Sequence, residues 1–298
     1  MADHARQIRS AEQDATLESE ESLEAAVHSE QERLLLQRLA EKRRRESVRR
    51  TADRIGLTIL VLGFWEGVVA LGWIHPFFVS RPSRIAVDLW ELFATGYIFP
   101  HFAITMYEAL TGLALGAILG MGTGFAAALS TRVADALQPL IVAFNSMPRV
   151  AIAPLFIIWF GFGPASKIAL AALVVYFVVF FNTFSGMRSV DPVLINSVRI
   201  MGGSKLFILR TVSLPHTMAW VFAAMKTCIS MALIGAVVGE FVGSTAGIGW
   251  IMVQATGVLD TTRLFSTLII LAVVGAFLFV VLRRIEDRVL RWRPSVEL

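Results

Sequence analysis

The fold is decided by two adjoining stretches, KIALAALVVYFVVFFNTFSGM at residues 167–187 and DPVLINSVRIMGGSKLFILRTVSLP at residues 191–215. The first stretch is apolar and has the length of about 20 residues that a helix needs to cross the hydrocarbon core of a bilayer. The second is polar and basic, contains the pair Gly202 and Gly203, and is followed by another apolar stretch. A protein that only spans the membrane has little need for so long a polar loop. We therefore expect a structured docking element between two membrane-spanning helices.

Composition places the chain in a membrane. Of its 298 residues, 56% are hydrophobic and only 17% are charged, which is more apolar surface than a soluble domain can bury. Backbone groups inside lipid must form their hydrogen bonds within the segment, and the apolar stretches do not alternate, which favours helices over barrel strands. The sequence predicts an all-α, multi-pass membrane protein with six transmembrane helices, at residues 55–74, 105–129, 137–160, 167–187, 217–238 and 264–282.

The charge pattern predicts three regions along the chain. Residues 1–52 are first acidic and then basic, lack glycine and proline, and have no apolar core of a secretory signal. We expect them to form a retained, charged, partly helical cytoplasmic extension; a solvated or membrane-skimming helix is a simpler interpretation than a specific docking role. Residues 53–293 form the transmembrane domain, with the polar loop at 188–216 inside it, and residues 294–298 form a tail.

Lysine and arginine fall mostly on one side of the predicted membrane, and that side is normally cytoplasmic. The side with the basic run up to Arg54 also receives Arg132, Arg188, Arg199, Lys205, Arg210 and the basic tail, whereas the other receives only Arg81, Arg84, Lys167 and Arg263. We therefore expect both termini and the loop at 188–216 to face the cytoplasm. Two outer segments follow from this orientation: residues 75–101, with a short interfacial helix, and the glycine-rich residues 240–262, which would face an external partner or the mouth of the pathway. The interfacial helix is predicted from an apolar stripe through Ile85, Leu89 and Leu92.

No catalytic centre is indicated. The five histidines are scattered over termini and loops without the spacing of a metal site, and the single cysteine, Cys228, has no partner for an intramolecular disulfide. The sequence also lacks a phosphate-binding loop of the form GxxxxGK[ST]. We expect a transport subunit rather than an enzyme, with no cofactor in this chain and an energy source on another polypeptide.

The third and fifth predicted spans carry the main candidates for a translocation pathway. Prolines inside the third span bend its helix, and charged residues at this depth rarely face lipid, which favours a bent, pore-lining helix. Arg149 and Lys226 would present positive potential to an anionic substrate; alternatively, each reaches the interface or neutralises a carboxylate such as Glu240 or Glu66. The candidate pathway residues are Asn145, Arg149, Asn182, Lys226 and Glu240.

Glycines recur at every fourth position of the second predicted span. They are Gly112, Gly116, Gly120 and Gly124. Small residues at this spacing form a flat ridge on which another helix packs closely in lipid. Close packing is the simpler interpretation, and sliding during a conformational cycle is the alternative.

The loop at 191–215 is typical of two short helices joined by a glycine turn. The first helix has one apolar face, formed by Leu194, Val198 and Met201. The paired glycines allow a sharp turn, and residues 205–210 are predicted to form a second helix that Pro215 ends before the fifth span. A compact, basic helix pair of this kind is a docking element; a solvated re-entry loop is the alternative.

This loop resembles the cytoplasmic motif of the permeases of ATP-binding-cassette (ABC) importers. That motif begins with Glu-Ala-Ala, continues with a glycine and ends with Ile/Val-x-Leu-Pro. Here the glycine is Gly202, the ending is residues 212–215, and residues 196–198 replace the acidic triplet, so the charged contact expected from the glutamate is missing. The resemblance implies an ATPase-docking set formed by Asn196, Ser197, Val198, Arg199, Met201, Gly202, Gly203, Ser204, Lys205, Leu214 and Pro215.

Four further stretches resemble the permeases that import nitrate, taurine, alkanesulfonates and related small organic anions. They are RPSRIAVDLW, PLFIIWFGFGPASK, FFNTFSGMRSVDP and VVGEFVGSTAGIGW, within a similarity over residues 55–293. The resemblance implies the type I ABC importer permease fold with cytoplasmic coupling helices, in a dimer, usually of identical chains, in the inner membrane. The implied partners are a cytoplasmic ABC ATPase dimer, which would bind ATP and Mg²⁺, and an extracytoplasmic substrate-binding protein, with no nucleic acid. On hydropathy alone, an ATPase-independent secondary transporter or channel is the alternative.

Overall fold

The structure is a computed structural model, which describes residues 52–130 and 148–289, together with positions 42, 45, 49, 133, 136 and 139. Within these residues the regular elements are helices, and no strand occurs. The chain divides into two compact units, residues 1–67 and residues 68–298. The predicted all-α class is therefore confirmed for the described part of the chain.

The first helix, α1, covers residues 52–70, at the position of the first predicted span. Its large apolar side chains are mostly exposed, as with Leu57 at 64%, Leu60 at 66% and Phe64 at 67%. Soluble proteins rarely expose so continuous an apolar surface. Apolar side chains on all sides are expected of a helix that faces lipid.

The helices of the second unit follow one another through short connections. They are α2 (Pro82–Ala94), α3 (Ile98–Ala128), α4 (Ala153–Phe160) after a 3₁₀ turn (Arg149–Ile152), α5 (Pro164–Arg188), α6 (Pro192–Ile200), α7 (Lys205–Ile208), α8 (Leu214–Val242) after a π turn (Leu209–Ser213), α9 (Ile248–Gly257) and α10 (Thr261–Val289).

Four helical stretches of the described residues are long and apolar enough to cross a membrane. They are Ile98–Ala128, Pro164–Arg188, Lys205–Val242 and Thr261–Val289. They coincide with the second, fourth, fifth and sixth predicted spans. The third predicted span is described only in part, and its candidate residue Asn145 lies outside the described residues. The total of six spans remains a prediction.

Close packing around α5 organises the second unit, since α5 makes its most extensive contacts with α3 and α8. Ala171 and Val175 of α5 are fully buried, as is Cys228 of α8. A Cβ atom added at Gly112 would lie 2.5 Å from Ala171 Cβ, and one at Gly116 would lie 2.5 Å from the Ala172 carbonyl oxygen. The glycine ridge of α3 therefore lets its backbone touch the backbone of α5, as the packing interpretation predicts.

The outer segments also follow the sequence pattern. Helix α2 begins with Pro82 at its first turn, where the missing N–H costs nothing, and it buries Ile85 and Leu92. Leu92 belongs to an apolar cluster with Ile248 and Ile251 of α9, and half-buried Leu89 packs against the same cluster. The apolar stripe predicted for this helix is confirmed.

Candidate functional site

The polar loop contains a helix whose two ends are fixed by the sequence. The Asp191 carboxylate accepts a hydrogen bond from the Val193 N–H at 2.8 Å and so caps the start of α6. At the other end, the Gly202 N–H donates to the Arg199 carbonyl at 3.0 Å and the Gly203 N–H donates to the Val198 carbonyl at 2.9 Å. This pair of bonds is the Schellman motif, which satisfies the last carbonyls of a helix.

The two glycines of the turn are needed for different reasons. Gly202 has φ +87°, a left-handed conformation that other residues rarely adopt, and a Cβ there would meet open space. Gly203 has an ordinary φ, but a Cβ at this position would lie 2.6 Å from Val198 Cγ1. The first glycine therefore allows the turn, and the second allows its close packing on α6.

The second half of the loop differs from the prediction. Ser204 accepts from the Phe207 N–H at 3.2 Å and starts α7, but the helix then continues through the π turn into α8 as one stretch, Lys205–Val242. Pro215 lies in the first turn of α8 and does not end a helix, so that prediction is wrong. The π turn widens the helix just before the proline, where the proline removes a hydrogen-bond donor.

The predicted docking residues lie together around this loop. Asn196, Ser197, Arg199, Met201, Gly202, Ser204, Lys205 and Leu214 are exposed, and Val198, Gly203 and Pro215 are half-buried. Large apolar side chains dominate the tip: Ile200 is 87% exposed and Met201 is 84% exposed. We call Val193, Leu194, Ile200, Met201, Leu206 and Phe207 the loop patch.

The structure does not bring the four described pathway residues into one site. Lys226 forms an ion pair with Glu286 of α10 at 2.7 Å, and Arg149 lies over the Phe177 ring at 5.4 Å. The Asn182 amide donates to the Val178 carbonyl of its own helix at 2.8 Å. Glu240 lies fourteen residues beyond Lys226 on α8, which is roughly 21 Å along a helix axis.

Glu240 belongs instead to a buried polar cluster at the end of the helices opposite the loop. We call His101, Thr105, Glu108, Lys167 and Glu240 the outer cluster. Apart from half-buried His101, these side chains are at most 1% exposed.

Three members of the outer cluster cap helix α9. The N–H groups of three successive residues donate to them: Gly247 to His101 Nδ1 at 3.1 Å, Ile248 to Thr105 Oγ1 at 2.8 Å, and Gly249 to Glu240 Oε2. Thr105 Oγ1 also donates to Glu240 Oε1 at 2.7 Å. The free N–H groups at a helix start need acceptors, and here α3 and α8 supply them.

Lys167 joins two turns beside the same cluster. Its ammonium group donates to the carbonyls of Phe162, Gly163 and Gly243, and so fastens the start of α5 to the end of α8. A lysine has three donors, and all three are used. A Cβ at Gly239 would lie 2.9 Å from Lys167 Cγ, so the buried side chain fits only against glycine.

Sequence reasoning named Glu240 but missed its neighbours. His101, Thr105 and Glu108 follow at spacings of four and three residues, which places them on one face of α3. The available signal was Glu108, an acidic residue inside an apolar span, because such residues are rarely left facing lipid.

The chain is similar to known membrane transport components. A family model described as binding-protein-dependent transport system inner membrane component matches residues 116–291. The putative aliphatic sulfonates transport permease protein SsuC of Bacillus subtilis (strain 168) is 34% identical over 241 residues, 81% of this chain and 87% of that protein. The riboflavin transport system permease protein RibX of Chloroflexus aurantiacus (strain ATCC 29366 / DSM 635 / J-10-fl) is 33% identical over 237 residues, 80% and 88% of the two chains.

A solved structure shares the fold. It is a crystal structure of an amino acid ABC transporter with histidines, with a TM-score of 0.53 and 16% identity, over 69% of this chain and 98% of that one. Long apolar helices and the family match define the class, a multi-pass transport component of the inner membrane. The chain belongs to the family of binding-protein-dependent transport system inner membrane components and is the permease subunit of an ABC transporter.

Proposed function

We propose that this permease imports a small organic anion of the sulfonate type, driven by an ABC ATPase dimer that docks on residues 191–215. The observation that carries the docking proposal is the loop patch, because large apolar side chains on a rigidly capped turn are unusual unless a partner covers them. Arg199 and Lys205 beside the patch add positive charge for an acidic rim on the ATPase. With residues 196–198 in place of an acidic triplet, apolar contact contributes most of the docking energy.

The continuous helix Lys205–Val242 favours a direct mechanical connection. It joins the proposed docking site to Glu240 at the far end of α8 without an intervening loop. Binding of ATP would close the ATPase dimer and bring together the loops at 191–215 of the two permeases. Helix α8 would transmit this movement to the outer cluster. Hydrolysis and relaxation would return the pathway to its inward-open state.

The remaining assembly follows the family pattern. We propose six spans, both termini in the cytoplasm, a dimer of two identical permeases and a substrate-binding protein that delivers the solute from outside. ATP and Mg²⁺ would bind to the ATPase, and this chain would need no cofactor of its own. Residues 240–262 and α2 would form the outer face that receives the binding protein.

The solute proposal rests on the similarity to SsuC, whose name specifies aliphatic sulfonates, and on Arg149. Arg149 lies over the Phe177 ring of α5 at 5.4 Å, and its positive charge would attract an anion. Lys226 contributes less, since Glu286 already compensates its charge. RibX, named for riboflavin, is similar to nearly the same degree and provides the competing solute for a direct test.

The test is reconstitution of the permease with its ATPase and binding protein in vesicles, followed by ATP-dependent uptake of an alkanesulfonate. We expect Ile200→Asp and Met201→Asp to lower uptake at least about tenfold, or about 1.4 kcal/mol, and to lose ATPase on purification. Val258→Asp is the matched control for ATPase retention, since Val258 is 77% exposed on the turn before α10, at the opposite end of the bundle from the proposed docking site.

Three outcomes would contradict the proposal. Full ATPase retention by both loop variants would remove the docking role. Sulfonate uptake that persists without ATPase would favour a secondary transporter or channel. Uptake of riboflavin without uptake of the sulfonate would show that the proposed solute is wrong, but it would not affect the docking proposal.

A further inference from the structure

We propose that Glu108 and Glu240 share one proton, carried by Glu108, and that this singly charged acid pair holds the start of α9 against α3 and α8. The proton is thus a bound ligand of the outer cluster. The proposal concerns the isolated permease, and it stands or falls independently of the solute and of ATPase docking.

The first observation is the burial of two acids in one cluster. Glu108 of α3 and Glu240 of α8 are each 1% exposed. Thr105, one turn before Glu108 on α3, donates to Glu240 Oε1 at 2.7 Å, so both acids lie where α3 meets α8. Like charges buried close together repel each other strongly. One of the two groups must therefore carry a proton.

The hydrogen-bonding partners decide which group carries it. Glu240 accepts from Thr105 Oγ1 on one oxygen and from the Gly249 N–H on the other, and such donors stabilise an ionised carboxylate. Glu108 Oε2 is buried and has no hydrogen-bonding partner among the residues that the structure describes. A charged oxygen in that position would be far more costly than the oxygen of a neutral acid. The proton therefore belongs to Glu108.

The charges of the neighbouring groups agree with this assignment. Lys167 is fully buried and contributes one positive charge, while its ammonium hydrogens point to backbone carbonyls. His101 accepts from Gly247 through Nδ1 and stacks on Trp250 at 5.2 Å, so that nitrogen carries no hydrogen. With Glu240 ionised and Glu108 protonated, the cluster is neutral; a second ionised acid would leave one uncompensated negative charge away from water.

The glycine-rich turn before α9 explains why the acid pair matters for the outer face. Gly247 has φ +118°, and a Cβ there would overlap Glu240 Oε1. A Cβ at Gly249 would lie 2.7 Å from Glu240 Oε2. The turn therefore encloses the carboxylate of Glu240, and Thr105 holds that carboxylate from α3, one turn from the protonated Glu108.

The test compares Glu108→Gln with Glu240→Gln in the purified full-length permease. A glutamine amide is neutral and can donate, so it replaces a protonated acid but not an ionised one. We expect Glu108→Gln to keep the thermal midpoint within about 2 °C of the unmodified protein and Glu240→Gln to lower it by at least about 5 °C. We also expect the infrared C=O band of a protonated carboxylic acid in the unmodified protein, and its loss in Glu108→Gln.

Each alternative has its own result. If both acids are ionised, Glu108→Gln raises the midpoint and the unmodified protein lacks the band. If the pair is only a packing element, the two variants lower the midpoint equally. If the proton belongs to Glu240, Glu240→Gln keeps the thermal midpoint and Glu108→Gln lowers it. Should Glu108→Gln fail to accumulate, absence of the band from the unmodified protein still overturns the proposal.

Discussion

Three charged side chains inside the apolar helices have specific partners. Lys226 pairs with Glu286 of α10, Lys167 binds three backbone carbonyls, and Glu240 binds Thr105 and Gly249. An unpaired charge in lipid is costly, so these contacts fix which helices can be neighbours. At the residue scale, polar groups specify the arrangement that apolar packing alone leaves open.

The contribution of the ion pair between Lys226 and Glu286 to the free energy of unfolding can be measured. Its side chains are 33% and 16% exposed, so solvent screens the pair in part. We expect Glu286→Gln to lower the free energy of unfolding by about 1–2 kcal/mol, between the values for surface and buried pairs. Denaturant unfolding of the purified permease in detergent measures this change.

The double variant Lys226→Gln with Glu286→Gln provides the control. Since it leaves no unpaired charge, we expect it to recover part of the loss, and the coupling energy follows from the double-mutant cycle. Strictly additive effects would show that the pair contributes nothing. A loss of uptake without a loss of stability in Lys226→Gln would instead return this lysine to the translocation pathway.

The partner of Lys226 could not be read from the sequence. Glu240 and Glu66 were the predicted alternatives, whereas the structure shows Glu286, sixty positions away on another helix. Pairs three or four residues apart follow from helix geometry, but a pair between helices depends on their packing. The same limit hid the hydrogen bond between Thr105 and Glu240.

At the scale of elements, the glycine ridge of α3 sets the distance between two helices. Its glycines lie against backbone atoms of α5, which cannot move aside as a flexible side chain can. Gly122 lies on the same helix but has open space where a side chain would be. One helix therefore contains both kinds of glycine, and Gly122 lies two residues from Gly120 and two from Gly124.

We expect Gly116→Ala and Gly122→Ala to change stability in opposite directions. The added methyl at Gly116 would lie 2.5 Å from the Ala172 carbonyl, so the helices must separate, at a cost of about 1–3 kcal/mol. At Gly122 the methyl meets nothing within 4 Å, and alanine should add up to about 1 kcal/mol through helix propensity. Denaturant unfolding measures both, and equal shifts would contradict a packing role for the ridge.

The sequence predicts elements well where one local signal dominates. Apolar length located four spans, whose helices extend up to twelve residues beyond the predicted bounds, and the stripe through Ile85, Leu89 and Leu92 located α2. Pro215 was misjudged because a proline ends a helix or begins one depending on the turn before it. That turn, Leu209–Ser213, adopts a π conformation, which the residue pattern does not predict.

At the scale of the whole molecule, the two polar regions lie at opposite ends of the same helices. The loop at 191–215 follows the end of α5 and precedes α8, whereas the outer cluster joins the start of α5 to the end of α8. Charge distribution along the sequence predicts which end is cytoplasmic, because basic residues concentrate on the side of the loop. The geometry fixes opposite ends, and the orientation remains a prediction from charge.

The single cysteine makes this orientation directly testable. Cys228 is fully buried, so the unmodified chain should resist a membrane-impermeant thiol reagent and serve as the background. Val258 is 77% exposed. We expect Val258→Cys to react in cells in which the reagent reaches the outer face of the inner membrane. Met201→Cys, at a position 84% exposed, should react only after permeabilisation, since the loop is predicted to face the cytoplasm. The reverse pattern would place both termini outside, and labelling of both variants before permeabilisation would contradict opposite exposure of the two ends.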